Sequence, residues 1–169
     1  MTQMPPSATG PTASHESTVD EDALLRMGNT DLDELFRSSD AGPIPDGDMR
    51  GTVLAFPGTP VATPLAKVLY VVAWQGKVVD RRHGMLLNKI TPLRLRLIAA
   101  KVSQAASWVD GQDCVLLDYS HTSLVAKMVR DELREVSPGL YLGVIWLWRR
   151  RVGWFTLRSA TEGDSVRRP

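Results

Sequence analysis

The chain has 169 residues, 43% of them apolar, which is enough for one domain with its own core. Its single cysteine, Cys114, excludes an internal disulfide framework and any zinc site built on several thiolates. The net charge of +1 conceals a polarity, because residues 1–48 hold ten of the nineteen acids and only two of the twenty bases. An acidic segment ahead of a basic body is read as one docking on the other, as a body that meets an anion, or as a mixed solvated surface.

Residues 1–19 are rich in Pro, Ser, Thr, Gly and Ala and read as a disordered leader, with 159–169 as a disordered tail. No apolar run of signal-peptide type occurs in the first twenty residues. The longest apolar run, Val68–Trp74, is too short to cross roughly 30 Å of hydrocarbon, so a cytoplasmic protein is expected.

Helical segments are expected over 20–38. Acids follow Asp20, Gly28-Asn29 interrupts, and Thr30 with Asp33 reads as a cap ahead of Leu32, Leu35 and Phe36. Residues 41–48 carry two prolines and two glycines and read as loop. Thr63-Pro64 opens a helix that is apolar almost all round and stops near Gly76.

Period-two segments broken by Gly, Pro and Asp turns predict eight strands at about 51–56, 77–81, 85–90, 98–107, 112–119, 129–136, 140–148 and 152–158. The strongest signal is Arg130–Leu157, where Ser137-Pro138-Gly139 turns the chain once and Arg149-Arg150-Arg151 turns it again. Thr122–Val136 also fits one long helix, but a hairpin at Pro138-Gly139 requires a strand before it. The fold expected is mainly β: one domain over 20–158, an antiparallel barrel with N-terminal helices and one or two short helices.

No catalytic motif is present. Asp118, Tyr119 and His121 gather at a strand end and are the acid–base candidates, although near neighbours in sequence cannot face one another as a hydrolytic triad. His15, His83 and His121 have no metal-ligand spacing, so no metal is expected; a haem on His83 or His121 is the cofactor alternative. Arg130, Glu132 and Arg134 alternate along one strand face. They read either as a paired network or as a clamp in which arginine forks grip an anionic ligand group. Trp146 and Trp148 share a face by period two, so packing explains them better than nucleic-acid stacking, and no nucleic acid is expected. Arg149, Arg150 and Arg151 offer a peripheral contact to an anionic membrane or a partner.

The order Trp74-Gln75-Gly76-Lys77, Arg130–Val136, Leu142-Gly143-Val144 and Trp154-Phe155-Thr156-Leu157 resembles small bacterial proteins of the GXWXG type. Gly51-Thr52-Val53 stands in the place of that family's Gly-x-Trp. The resemblance implies a lipocalin-like (calycin) barrel with a cavity for a hydrophobic molecule, and no established chemistry. On that reading the protein holds an apolar or amphiphilic ligand, such as a fatty acid or isoprenoid, without a cofactor. Trp74, Tyr141, Trp146, Trp154 and Phe155 would line the cavity, with Lys77, Arg130 and Arg134 as its polar contacts. The alternative is an enzyme on the same barrel.

Overall fold

The computed structural model describes residues 19–55, 77–88, 99–120 and 128–160. Two short helices, α1 (Glu21–Arg26) and α2 (Asn29–Ser38), precede eight strands: β1 (Gly47–Ala55), β2 (Lys77–Asp80), β3 (Met85–Asn88), β4 (Ala99–Ala106), β5 (Asp113–Asp118), β6 (Val129–Ser137), β7 (Leu140–Leu147) and β8 (Arg150–Ser159). Each strand pairs antiparallel with the next, and β1 pairs with both β2 and β8, which closes the barrel. Closure gives every described strand a neighbour on both sides, the device by which barrels avoid open edges.

The long-helix reading of 122–136 is excluded over its second half, where β6 pairs with β5 and β7 on its two sides. The helix expected over 65–74 lies outside the described residues. The β7–β8 turn is formed by Trp148 and Arg149, so the turn starts one residue earlier than the arginine run suggests, and β8 begins at Arg150, two residues ahead of the expected 152. Asp20 caps α1, its carboxylate accepting from the Ala23 N–H at 2.7 Å. Gly28 precedes α2, and Asp31, not Asp33, reaches back to accept from the Gly28 N–H at 3.1 Å.

The two faces of the sheet carry separate cores. Inside the barrel lie Met49, Val79, Leu86, Val115, Leu117, Leu133, Tyr141, Ile145, Phe155 and Leu157. On the outer wall, Leu142, Val144 and Trp154 are covered by Leu24, Leu32 and Phe36 of the helices. The Phe36 ring meets Trp154 edge to face, with centroids 5.9 Å apart. Each of these large side chains contributes about 1.5–3 kcal/mol by leaving water, which anchors helices too short to persist alone.

The acidic N-terminal segment docks on the basic body. Glu21 accepts from Thr156 and Arg158, and Asp33 takes both Arg37 and Arg151. The segment then crosses one end of the barrel, where the Tyr141 hydroxyl donates to the Pro43 carbonyl at 2.8 Å and Ile44 packs on the inner core. Gly42 has φ +66°, and a Cβ there would meet Glu135 at 2.5 Å, so this crossing needs glycine. Among the described residues no helix is long and apolar enough to cross a membrane.

Candidate functional site

β1 ends and β2 begins at the barrel end opposite this strap, and β5 leads into β6 there as well. Three polar side chains lie just inside that end. Lys77 opens β2, Tyr119 follows β5, and Asp131 is the third residue of β6. Strand alternation turns Leu117 and Tyr119 inward on one side and Asp131 and Leu133 on the other, with Leu117 opposite Asp131 in the ladder.

The Lys77 ammonium donates to the Tyr119 hydroxyl at 3.3 Å and stands 3.5 Å from Asp131 Oδ2. The Tyr119 hydroxyl donates to the same Oδ2 at 3.1 Å. Lys77 also lies over the Phe155 ring, 4.8 Å from its centroid. All three polar residues are at most 5% exposed. Burial pushes the Lys77 amine below the usual lysine pKa and the Asp131 carboxyl above the usual carboxylate range; each charge partly restores the other. Asp131 Oδ1 is buried and has no hydrogen-bond partner among the described residues. A buried acceptor left unmade costs about 1–3 kcal/mol, so this atom marks a place for a donor.

Chemically the trio gathers an amine, a phenol and a carboxyl oxygen among apolar inner side chains. Tyr141 and Phe155 share that interior, with Phe155 packed against Gly143, where a Cβ would come within 2.3 Å of the ring. Tyr141 sits toward the strap, and burial pushes its phenol up to about 12, with Glu135 adding to the shift.

Trp74 and His121 lie outside the described residues. Arg130, Arg134, Trp146 and Trp154 stand on the outer wall, and the arginines are held by the protein's own acceptors. Arg134 is fully buried and forks onto Asp110 at 2.7 and 2.8 Å, with further bonds to the carbonyls of Asp113 and Phe36. Arg130 donates to Glu132 and to the Ala106 carbonyl, both at 2.7 Å. Glu132, itself buried, accepts also from Ser107 Oγ and the Trp108 N–H. The paired network read from the β6 alternation is therefore present, on the outside, with Asp110 as the partner of Arg134. Trp148, expected beside Trp146 in the packing, is instead 61% exposed.

Asp118 faces outward, and its Oδ1 accepts from the Ser120 N–H at 2.8 Å, a turn contact. His83 occupies the exposed β2–β3 turn, bonded to Asp80 at 2.6 Å. Among the described residues no three His, Cys, Asp or Glu side chains gather to hold a metal. Cys114 is buried, and burial pushes its thiol up to about 12, an inert residue.

A hollow of about 480 Å³ lies on the outer wall between α2 and the β4–β5 turn, lined by Thr30, Asp33, Glu34, Trp108, Trp146 and Arg151 among others. Its charges are largely paired internally, Asp33 with Arg37 and Arg151.

The sequence matches no protein-family profile and no curated protein. A protein of Thermomonospora curvata, known from its crystal structure, is similar in fold: 15% identical, with a TM-score of 0.55, over 80% of this chain and 89% of that one. The likeness extends to the barrel and does not reach the narrower GXWXG-type kinship.

Sequence reasoning singled out Lys77 and Tyr119 but missed Asp131, which joins them. The signal was available. Asp131, Leu133 and Glu135 share a face, and a closed barrel turns the other β6 face toward whatever covers it.

Proposed function

We propose that the protein binds a small amphiphilic molecule within the barrel, its polar head held by Lys77, Tyr119 and Asp131 and its apolar body among the inner side chains. The observation that carries this reading is the unpartnered, buried Asp131 Oδ1 beside a buried amine and phenol. A purely structural ion pair would be expected to satisfy its carboxylate fully, since buried charges are kept only where every lone pair is bonded. The head that fits has both a donor, for Oδ1, and an acceptor, for the lysine or the phenol. A long-chain or isoprenoid alcohol meets this, as does a fatty acid entering protonated. The strap at residues 40–46 crosses one end of the barrel, and the Lys77, Tyr119 and Asp131 head site lies toward the other.

Native mass spectrometry of the protein from its own host tests the proposal, followed by titration of the stripped protein with decanol and lauric acid. A co-purifying species of a few hundred daltons, or saturable one-to-one binding, is the expected result. Absence of both would overturn the reading. An absorbance near 400 nm, typical of haem, would replace it with the haem alternative.

A further inference from the structure

The β7–β8 turn carries a feature that packing does not explain. Trp148 and Arg149 have φ of +48° and +63°, the left-handed region that favours Gly and Asn. Holding two non-glycine residues there stores strain, and such strain collects at functional positions. The Trp148 ring is 61% exposed, and beside it Met128 is 38% exposed, its carbonyl accepting the Trp148 N–H at 3.1 Å. Arg149 and Arg150 are exposed, and among the described residues neither pairs with a carboxylate. Of the neighbouring acids, Glu132 is engaged by Arg130 and Asp33 by Arg151. Arg149 instead lies over the ring of Trp108 on the adjoining outer wall, 4.5 Å from its centroid, a contact that leaves its charge without an anionic partner among the described residues.

We infer that this hairpin tip is a peripheral binding site for an anionic lipid surface, with Trp148 and Met128 entering the headgroup layer and Arg149 and Arg150 meeting acidic headgroups. An indole suits that layer because one edge is apolar and the other donates a hydrogen bond. Two arginines near an anionic surface each raise affinity about fivefold. The charge match and the convex tip favour this surface over single-stranded nucleic acid, which stacks along a groove. The site is independent of what the barrel holds.

The test uses the full chain with phosphatidylcholine vesicles, with and without about one-third phosphatidylserine. The protein should sediment with the anionic vesicles only and be released by high salt. Trp148→Asn with Arg149→Gly places the favoured turn pair at the tip, so it should raise Tm by about 2–4 °C while weakening vesicle binding at least about tenfold. Arg149→Glu with Arg150→Glu, which retains Trp148, should also abolish sedimentation. Equal sedimentation with neutral vesicles, undiminished binding by either variant, or a fall in Tm for the turn replacement would overturn the inference. So would binding of a single-stranded oligonucleotide in place of vesicles.

Discussion

Lys77 Nζ and Asp131 Oδ2 stand 3.5 Å apart inside a barrel whose other described inner side chains are mostly apolar. Two opposite charges taken out of water gain little net stability, and their removal as a pair costs little, whereas removing one strands the other. Lys77→Met alone should therefore destabilise the protein by about 3–5 kcal/mol, while Lys77→Met with Asp131→Leu should be neutral or stabilising by about 1–4 kcal/mol. Urea unfolding of the two variants checks this, and equal losses in both would show that the pair supports the fold by itself.

The same pair sets a pH dependence with a definite sign. Asp131 is raised above its unfolded value of 3.8, so the native state holds its proton longer and the pair's contribution falls as pH rises from 3.8. Lys77 is lowered below its unfolded 10.5, so the native state releases its proton first and stability returns as pH climbs toward 10.5. Wild type minus the double variant should trace this dip between the two ends. On the outer wall, Glu21, Asp33 and Asp110 are lowered, the first two by bonds that outweigh burial and Asp110 chiefly by its bond to Arg134. They contribute stability above about pH 4, lost as pH falls through their depressed values, and both proteins should share that acid limb.

Arg134 and Arg130 should respond differently to replacement by methionine. Arg134→Met removes the fork from Asp110, which among the described residues keeps only the Gln112 N–H, and the guanidinium's bonds to the Phe36 and Asp113 carbonyls, and should cost about 3–5 kcal/mol with or without ligand. Arg130→Met leaves Glu132 still bonded to Ser107 and the Trp108 N–H, so about 1.5–3 kcal/mol is expected. Thermal unfolding reads both, and the order reversed would contradict the network as described.

Gly143→Ala places a Cβ against the Phe155 ring and should cost at least about 1–3 kcal/mol by overpacking. Adding Phe155→Leu should recover part of that loss. A Gly143→Ala protein as stable as wild type would mean that the ring does not rest on β7.

The strands were legible in the sequence because their ends are chemically marked: Pro57-Gly58 after β1, Asp110-Gly111 before β5, Pro138-Gly139 before β7. The inward face was not. In β6, Arg130, Glu132 and Arg134 alternate with Asp131, Leu133 and Glu135, so charge occurs on both faces. In β7, almost every residue from Leu140 to Leu147 is apolar, because α1, α2 and the β4–β5 turn bury its outer side too. Alternation separates core from water only where one face is wet. The small residues opposite Phe155 and Ile145, Gly143 and Gly153, were the better guide to the inside. The candidate site was half legible for the same reason. Lys77 and Tyr119 stand out at strand ends, while Asp131 reads as an ordinary surface acid until the ladder pairs it with Leu117.

Lysine-selective NMR during a decanol titration observes directly whether Lys77 meets the ligand's head. The Lys77 side-chain resonance, assigned with Lys77→Arg, should shift saturably and in step with one-to-one binding, while Lys101 on the outer surface stays still. Saturable binding that leaves Lys77 unmoved would mean that the head is held elsewhere and that the Lys77–Tyr119–Asp131 trio is not the ligand site.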